Sequence, residues 1–110
     1  MSVLKMSEAT LQAGVIELAH VYGFMVHHDL PSQRSNGSWS TLVSGDTGFP
    51  DLILAKEGRV LAIELKSEKG AQSLAQKDWQ RELGDGVEYY LWKPTDWNNG
   101  TVERILKGKP

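Results

Sequence analysis

The chain has no cysteine, which excludes a disulfide framework, a thiolate nucleophile and every zinc site built on sulfur. It also lacks a basic excess: 12 lysines and arginines stand against 14 acidic residues, a formal charge of -2. A sequence-independent phosphate binder usually carries net positive charge, so any contact with nucleic acid must rest on locally concentrated cations. Long apolar runs are missing as well. No stretch approaches the roughly 18 apolar residues of a spanning helix, and Met1 to Thr10 lacks the apolar block of a signal peptide. These absences predict a soluble, cytoplasmic protein with no membrane partner. What remains is ordinary globular composition, 40% hydrophobic and 24% charged over 110 residues, the size of one domain spanning residues 1–110 and able to bury one core.

Apolar residues recur at helical spacing from Ser7 to Tyr22, through Leu11, Val15, Leu18, Ala19 and Tyr22, with Ser7 as N-cap and Gly23 as the stop. Phe24 to Leu30 reads as a short strand closed by Pro31, and Pro31 to Ser44 as a long exposed loop. Asp51 to Ala55 and Val60 to Lys66 are apolar runs joined by Lys56-Glu57-Gly58-Arg59, which predicts an antiparallel hairpin. Ser73 caps a helix running to about Leu83, Val87 to Trp92 forms a strand, and Thr95 to Lys107 is a helical tail broken at Asn98-Asn99-Gly100. The order is helix, three strands, helix, strand, tail: an α/β domain with a mixed sheet flanked by helices.

Within the hairpin, alternation puts Glu64 and Lys66 on one strand face and Leu61, Ile63 and Leu65 on the other. Pairing about the Glu57-Gly58 turn sets Asp51 roughly opposite Glu64, so two carboxylates and an amine gather in one place. Two carboxylates that close repel unless a cation lies between them. Mg²⁺ or Mn²⁺ suits such a pair, because Mg²⁺ takes oxygen ligands, keeps several waters and is held by one or two carboxylates plus substrate phosphate. Asp51, Glu64 and the backbone carbonyl of Leu65 are the candidate metal ligands. Lys66 is placed to orient or deprotonate a water and to stabilise charge on phosphorus.

An isolated Glu-x-Lys is usually just solvated surface; the combination carries the weight. Gly48-Phe49-Pro50-Asp51-Leu52, a hairpin-length gap, Glu64-Leu65-Lys66, a helix opening with Ser73 and Gln76, and a last strand at Val87 to Trp92 follow in order. In this the chain resembles the PD-(D/E)xK nuclease superfamily, and within it the viral-type replication-repair nuclease (VRR-NUC) domain. The resemblance extends from the first helix to the last strand. It implies a restriction-endonuclease-like core, with Asp51 and Glu64 as metal ligands, Lys66 as the catalytic lysine and Gln76 as an active-site residue. For the family's acidic residue on the first helix, Glu17 is the best match. The implied activity is metal-dependent endonucleolytic hydrolysis of DNA phosphodiesters, in branched substrates such as Holliday junctions, by a homodimer of phage or bacterial type. The alternatives are a flap or single-strand nuclease, a restriction-like enzyme, or an inactive nuclease fold that only binds DNA.

Lys69, Lys77 and Arg34 are candidate phosphate contacts. His27 and His28, neighbours on a strand, point to opposite faces and are not expected to share an ion. Trp39, Trp79, Trp92 and Trp97 are all of a type that can stack on bases; Trp79 and Trp92 are expected in the core instead, and Trp97, an aromatic in a polar tail, is also a candidate for a subunit contact.

Overall fold

A computed structural model describes residues 6–29, 32–33, 39–40 and 44–108. Helix α1 (Glu8–Val21) begins where the Ser7 side chain accepts the Thr10 N–H, and it buries Leu11, Val15 and Ala19, one residue per turn on a single stripe. Gly23, at φ 86°, turns the chain out of the helix into strand β1 (Met25–His28). The Lys56 Nζ donates to the Tyr22 carbonyl at this helix end, at 2.6 Å.

Strands β2 (Ser32–Gln33) and β3 (Trp39–Ser40) pair antiparallel as a separate two-stranded ladder. The expected open loop therefore contains a short ladder.

The main sheet runs β1-β4-β5-β6, from β4 (Leu52–Lys56), β5 (Arg59–Leu65) and β6 (Glu88–Trp92). Its first two pairings are antiparallel and the last, β5 with β6, is parallel, so the sheet is mixed. Glu57 at φ 50° and Gly58 at φ 83° make the two-residue turn between β4 and β5. Two positive φ values in succession match the right-handed twist of the flanking strands and fix the register. Leu52 lies opposite Ile63, so one step further Asp51 falls opposite Glu64.

The two faces of this sheet are unequal. On one, Leu52, Leu54, Leu61, Ile63, Leu65 and Trp92 join the α1 stripe and Val102, Ile105 and Leu106 in a single buried cluster. Those last three come from α4 (Thr101–Leu106), which follows α3 (Pro94–Asn98) after a break at Gly100, φ 85°. Pro94 ends β6 as expected but also starts α3 as its first residue, where a missing N–H costs nothing. Trp97 is half-buried and packs on α1: a Cβ added to Gly14 would sit 3.1 Å from its ring. Its ring thus makes an α1–α3 contact.

The other face carries Ile53, Ala62, Glu64 and Tyr89 and meets α2 (Leu74–Leu83), none of whose residues is fully buried. Helix α2 is held by polar and close backbone contacts and by a half-buried row of Ala75, Trp79 and Leu83. No helix among the described residues is long and apolar enough to cross a membrane.

Arg59 ties three elements together at the far end of β5. Its Nε and Nη2 donate to the Glu88 carboxylate at 2.5 and 2.9 Å, and Nη2 donates to the Ile105 carbonyl at 2.7 Å. Charge-assisted bonds of this kind are each worth about 1.5–3 kcal/mol. Arg59→Met, which keeps the stem but loses the fork, is expected to destabilise the fold by about 2 kcal/mol, read as a lower urea midpoint. An unchanged midpoint would show that water replaces these partners at no cost.

Candidate active site

Asp51 stands immediately before β4, at the end of a segment pressed against the first turn of α2. Gly48 has φ 93°, and a Cβ there would lie 2.6 Å from the backbone carbonyl carbon of Ala75. Only glycine permits that approach. Pro50 is buried, and Phe49 packs on Trp79 of α2 edge to face, with ring centres 4.9 Å apart at 87°. The Trp79 indole N–H in turn donates to the Asp46 carbonyl at 3.4 Å.

The Asp51 carboxylate is oriented by β5: its Oδ2 accepts the Leu65 N–H at 2.8 Å. Leu65 lies beyond the last residue that β4 pairs, so a side chain takes the place of a ladder partner there. Leu65 thus contributes its N–H to the site; its carbonyl remains a candidate ligand.

Glu64 is completely buried. Its Oε2 accepts the Gln76 side-chain N–H at 2.7 Å, whereas its Oε1 is buried without a hydrogen-bond partner. The Gln76 amide can face only one way. Its oxygen accepts the Ser73 N–H at 2.9 Å while the Ser73 hydroxyl accepts the Gln76 N–H at 3.1 Å, a capping box that leaves the amide nitrogen free for Glu64. One residue therefore starts α2 and fixes the buried acid.

Burial, followed by the negative charge of Asp51, pushes the Glu64 carboxyl up to about 7, against the opposing pull of Lys66 and of the Tyr89 hydroxyl. Lys66 follows β5 directly. Its backbone N–H donates to the Trp92 carbonyl at 3.0 Å, and its half-buried stem passes close to Gly70. The structure thus brings Asp51, Glu64, Lys66 and Gln76 together.

Tyr89 and Gln72 complete the surroundings of Glu64, and neither was singled out from sequence. Tyr89 is aligned with Ala62 across the parallel pair, on the same face as Glu64. Its hydroxyl accepts from the Gln72 amide at 3.2 Å, and burial first, then the charge of Glu64, pushes the phenol up to about 12. It stays a proton donor at any working pH. Alternation along Val87 to Trp92 hints at this placement, but the register with β5 is needed to find it.

Other candidates fall elsewhere. Glu17 is exposed on the side of α1 away from the buried Leu11, Val15 and Ala19, because two residues past Val15 is about 200° around the helix. It is not brought to the carboxylate pair, and the expectation of a metal ligand there is corrected. Among the described residues no group of three His, Cys, Asp or Glu side chains is arranged to hold a metal ion. Lys69 and Lys77 are exposed, and Arg34 lies outside the described residues. His27 is exposed and 3.6 Å from Asp29, while His28, half-buried, has its Nδ1 on the other face without a partner. Trp92 is in the core as expected, but Trp79 is only half-buried and sits at the rim of the site. A cleft of about 710 Å³ opens beside Asp51, bordered by Gln12, His27, Asp29, Phe49 and Trp79.

Because Glu64 holds its proton up to about pH 7 when folded but only to about 4.5 when free, the folded state binds one proton more than the unfolded state between those values. Stability of the metal-free protein therefore falls as pH rises through this window, by about 3 kcal/mol from this group. Urea unfolding at pH 5 and pH 8 in chelator is expected to show wild type losing that much relative to Glu64→Gln. A gap between the two proteins that does not change with pH would contradict the buried acid.

Comparison with protein-family models, with curated proteins and with solved structures finds no match to this chain.

Proposed function

We propose that the chain is a metal-dependent endonuclease hydrolysing phosphodiester bonds in DNA, built on a PD-(D/E)xK core of the VRR-NUC kind. The observation that carries this reading is the fully buried Glu64 carboxylate, with one oxygen held by Gln76 and the other unpartnered, facing Asp51 and attracted by Lys66. Buried polar atoms are rarely left unsatisfied, so a free carboxylate oxygen beside a second carboxylate asks for a cation.

A divalent ion fits this donor set. Two carboxylates without a third suit Mg²⁺ or Mn²⁺, which keep waters and complete their shell with substrate oxygens, and they suit a zinc site poorly. Asp51 and Glu64 would hold the ion, with the Leu65 carbonyl as a further oxygen; when bound, such an ion supplies Lewis-acid stabilisation of a phosphoryl group.

The protein's own part is largely positioning and charge. Asp51 is locked by the Leu65 N–H and Glu64 by Gln76, so neither has to reorganise as the reaction proceeds. The Lys66 ammonium offsets negative charge building on the scissile phosphate and orients the attacking water. Lys69 and Lys77 offer exposed cations to flanking phosphates. A homodimer with a two-fold axis would present two such sites, as matched cuts in a four-way junction require, and would concentrate these cations despite the net charge of -2.

The test is a panel of four-way junction, flap, duplex and single-stranded DNA incubated with the protein in Mg²⁺ or Mn²⁺. Cutting strongest on the junction and abolished by chelator is expected. Preference for the flap or single strand would redirect the substrate assignment, and cleavage of none of the four would overturn the nuclease reading.

A further inference from the structure

The cleft beside Asp51 differs in chemistry from the other side of the site. Its border holds the carboxylates of Asp29, Asp46 and Asp51, and no lysine or arginine borders it among the described residues. Beyond Trp79 the surface continues with Asp78 and Glu82. The carboxylates among these described residues would repel a strand backbone, whereas Lys66 and the exposed Lys69 and Lys77 all follow β5 in the chain. An uncharged, flat group meets no such repulsion.

Phe49 provides the matching surface. It is one of the few large apolar side chains left in the open, 43% exposed, two residues before Asp51. It is also held still. Gly48 seats the backbone on Ala75, Pro50 is buried behind, and Trp79, tied to the Asp46 carbonyl, meets the ring edge to face. An edge-to-face pair uses only one of the two rings' π-faces, so stacking surface remains open to the cleft.

We propose that Phe49 and Trp79 form a stacking platform for an unpaired nucleobase of the substrate strand. A base seated there would lie next to the carboxylate pair while its phosphate lay toward the lysines. The chain would then select phosphodiesters whose neighbouring base has left the duplex stack, as at a branch point or a bulge. This rests on the nuclease reading and narrows its substrate class.

Two measurements test it independently. The first compares cleavage of a duplex carrying one unpaired nucleotide with cleavage of the fully matched duplex, for wild type, Phe49→Leu and Phe49→Tyr. Wild type is expected to prefer the unpaired substrate. Phe49→Leu should lower that preference, as a ratio of kcat/KM values, by at least about fivefold, the low end of what one base–aromatic stack contributes. Phe49→Tyr should restore it, since a merely structural apolar role would be met by leucine. The second measures binding of a fluorescent tetranucleotide in Ca²⁺, with and without one abasic position. Wild type should lose affinity at the abasic site, and Phe49→Leu should not distinguish the two ligands.

Equal ratios for wild type and Phe49→Leu, or no abasic effect in wild type, would overturn the platform even if the enzyme cuts DNA. A change of oligomeric state in Phe49→Leu by light scattering would assign the rings to a contact between copies and overturn it as well. Absence of any cleavage together with a clear abasic effect would instead sink the nuclease reading and leave the base site standing.

Discussion

Asp51→Asn and Lys66→Ala are each expected to lower metal-dependent cutting by at least about a thousandfold, the upper range for removing one electrostatic contributor at a reacting centre. Both changes are mild for the fold. An asparagine oxygen can still accept the Leu65 N–H that holds Asp51 at 2.8 Å, so the strand end keeps its partner while the negative charge is lost. Lys66 has its backbone bonded to the Trp92 carbonyl, and truncating its half-buried stem leaves that bond in place. Lys66→Met keeps the stem and removes only the charge, so it should be as inactive as the alanine variant. DNA affinity, measured by anisotropy in Ca²⁺, is expected to stay within a few-fold of wild type, because phosphate binding is spread over many contacts. Cutting at the parental rate by either variant would refute the assignment of that residue.

Gly48→Ala is expected to be the most damaging small substitution outside the core. The new methyl would stand 2.6 Å from the Ala75 carbonyl carbon and 2.7 Å from its oxygen, and backbone in a helix cannot step aside as a flexible side chain does. The positive φ of 93° adds roughly 1–2 kcal/mol for any L residue, and overpacking adds about 1–3 kcal/mol. A loss near 3 kcal/mol is anticipated, read from the urea midpoint. Gly45→Ala is the control: Gly45 has φ 105° but, among the described residues, nothing within 4 Å of its missing Cβ, so only the backbone cost should appear. Relief of the clash has to separate Asp51 from α2, and with it from Gln76, so cutting by Gly48→Ala should fall further than the folded fraction does. Equal stability for the two alanine variants would mean that the close approach to Ala75 contributes nothing.

How much of this could be read from the chain alone follows from where the determining interactions lie. The β4–β5 hairpin was legible because its register is set locally, by two positive-φ residues between apolar runs; Asp51 opposite Glu64 followed by counting. Helix α2 was legible from Ser73 and the expected active-site Gln76, which turned out to share one hydrogen-bonded cap. Tyr89 was not, since its place beside Glu64 depends on a parallel pairing that no turn encodes. Trp79 differs from its expected core position for a related reason: bulk and hydrophobicity suggest full burial, but the inward row of α2, Ala75, Trp79 and Leu83, is only half-covered. Glu17 shows the reverse, for its outward angle follows from the same Leu11, Val15, Ala19 stripe that identified the helix, and that periodicity outweighs a positional match to a motif.

The division of labour between the two sheet faces has a consequence for how such a molecule can change over generations. Since α1, α4 and the leucines beneath them supply the cohesion, the exposed positions of α2 are free to drift without threatening the chain's ability to fold. Variation can be sampled there one residue at a time, with little effect on the survival of the native state.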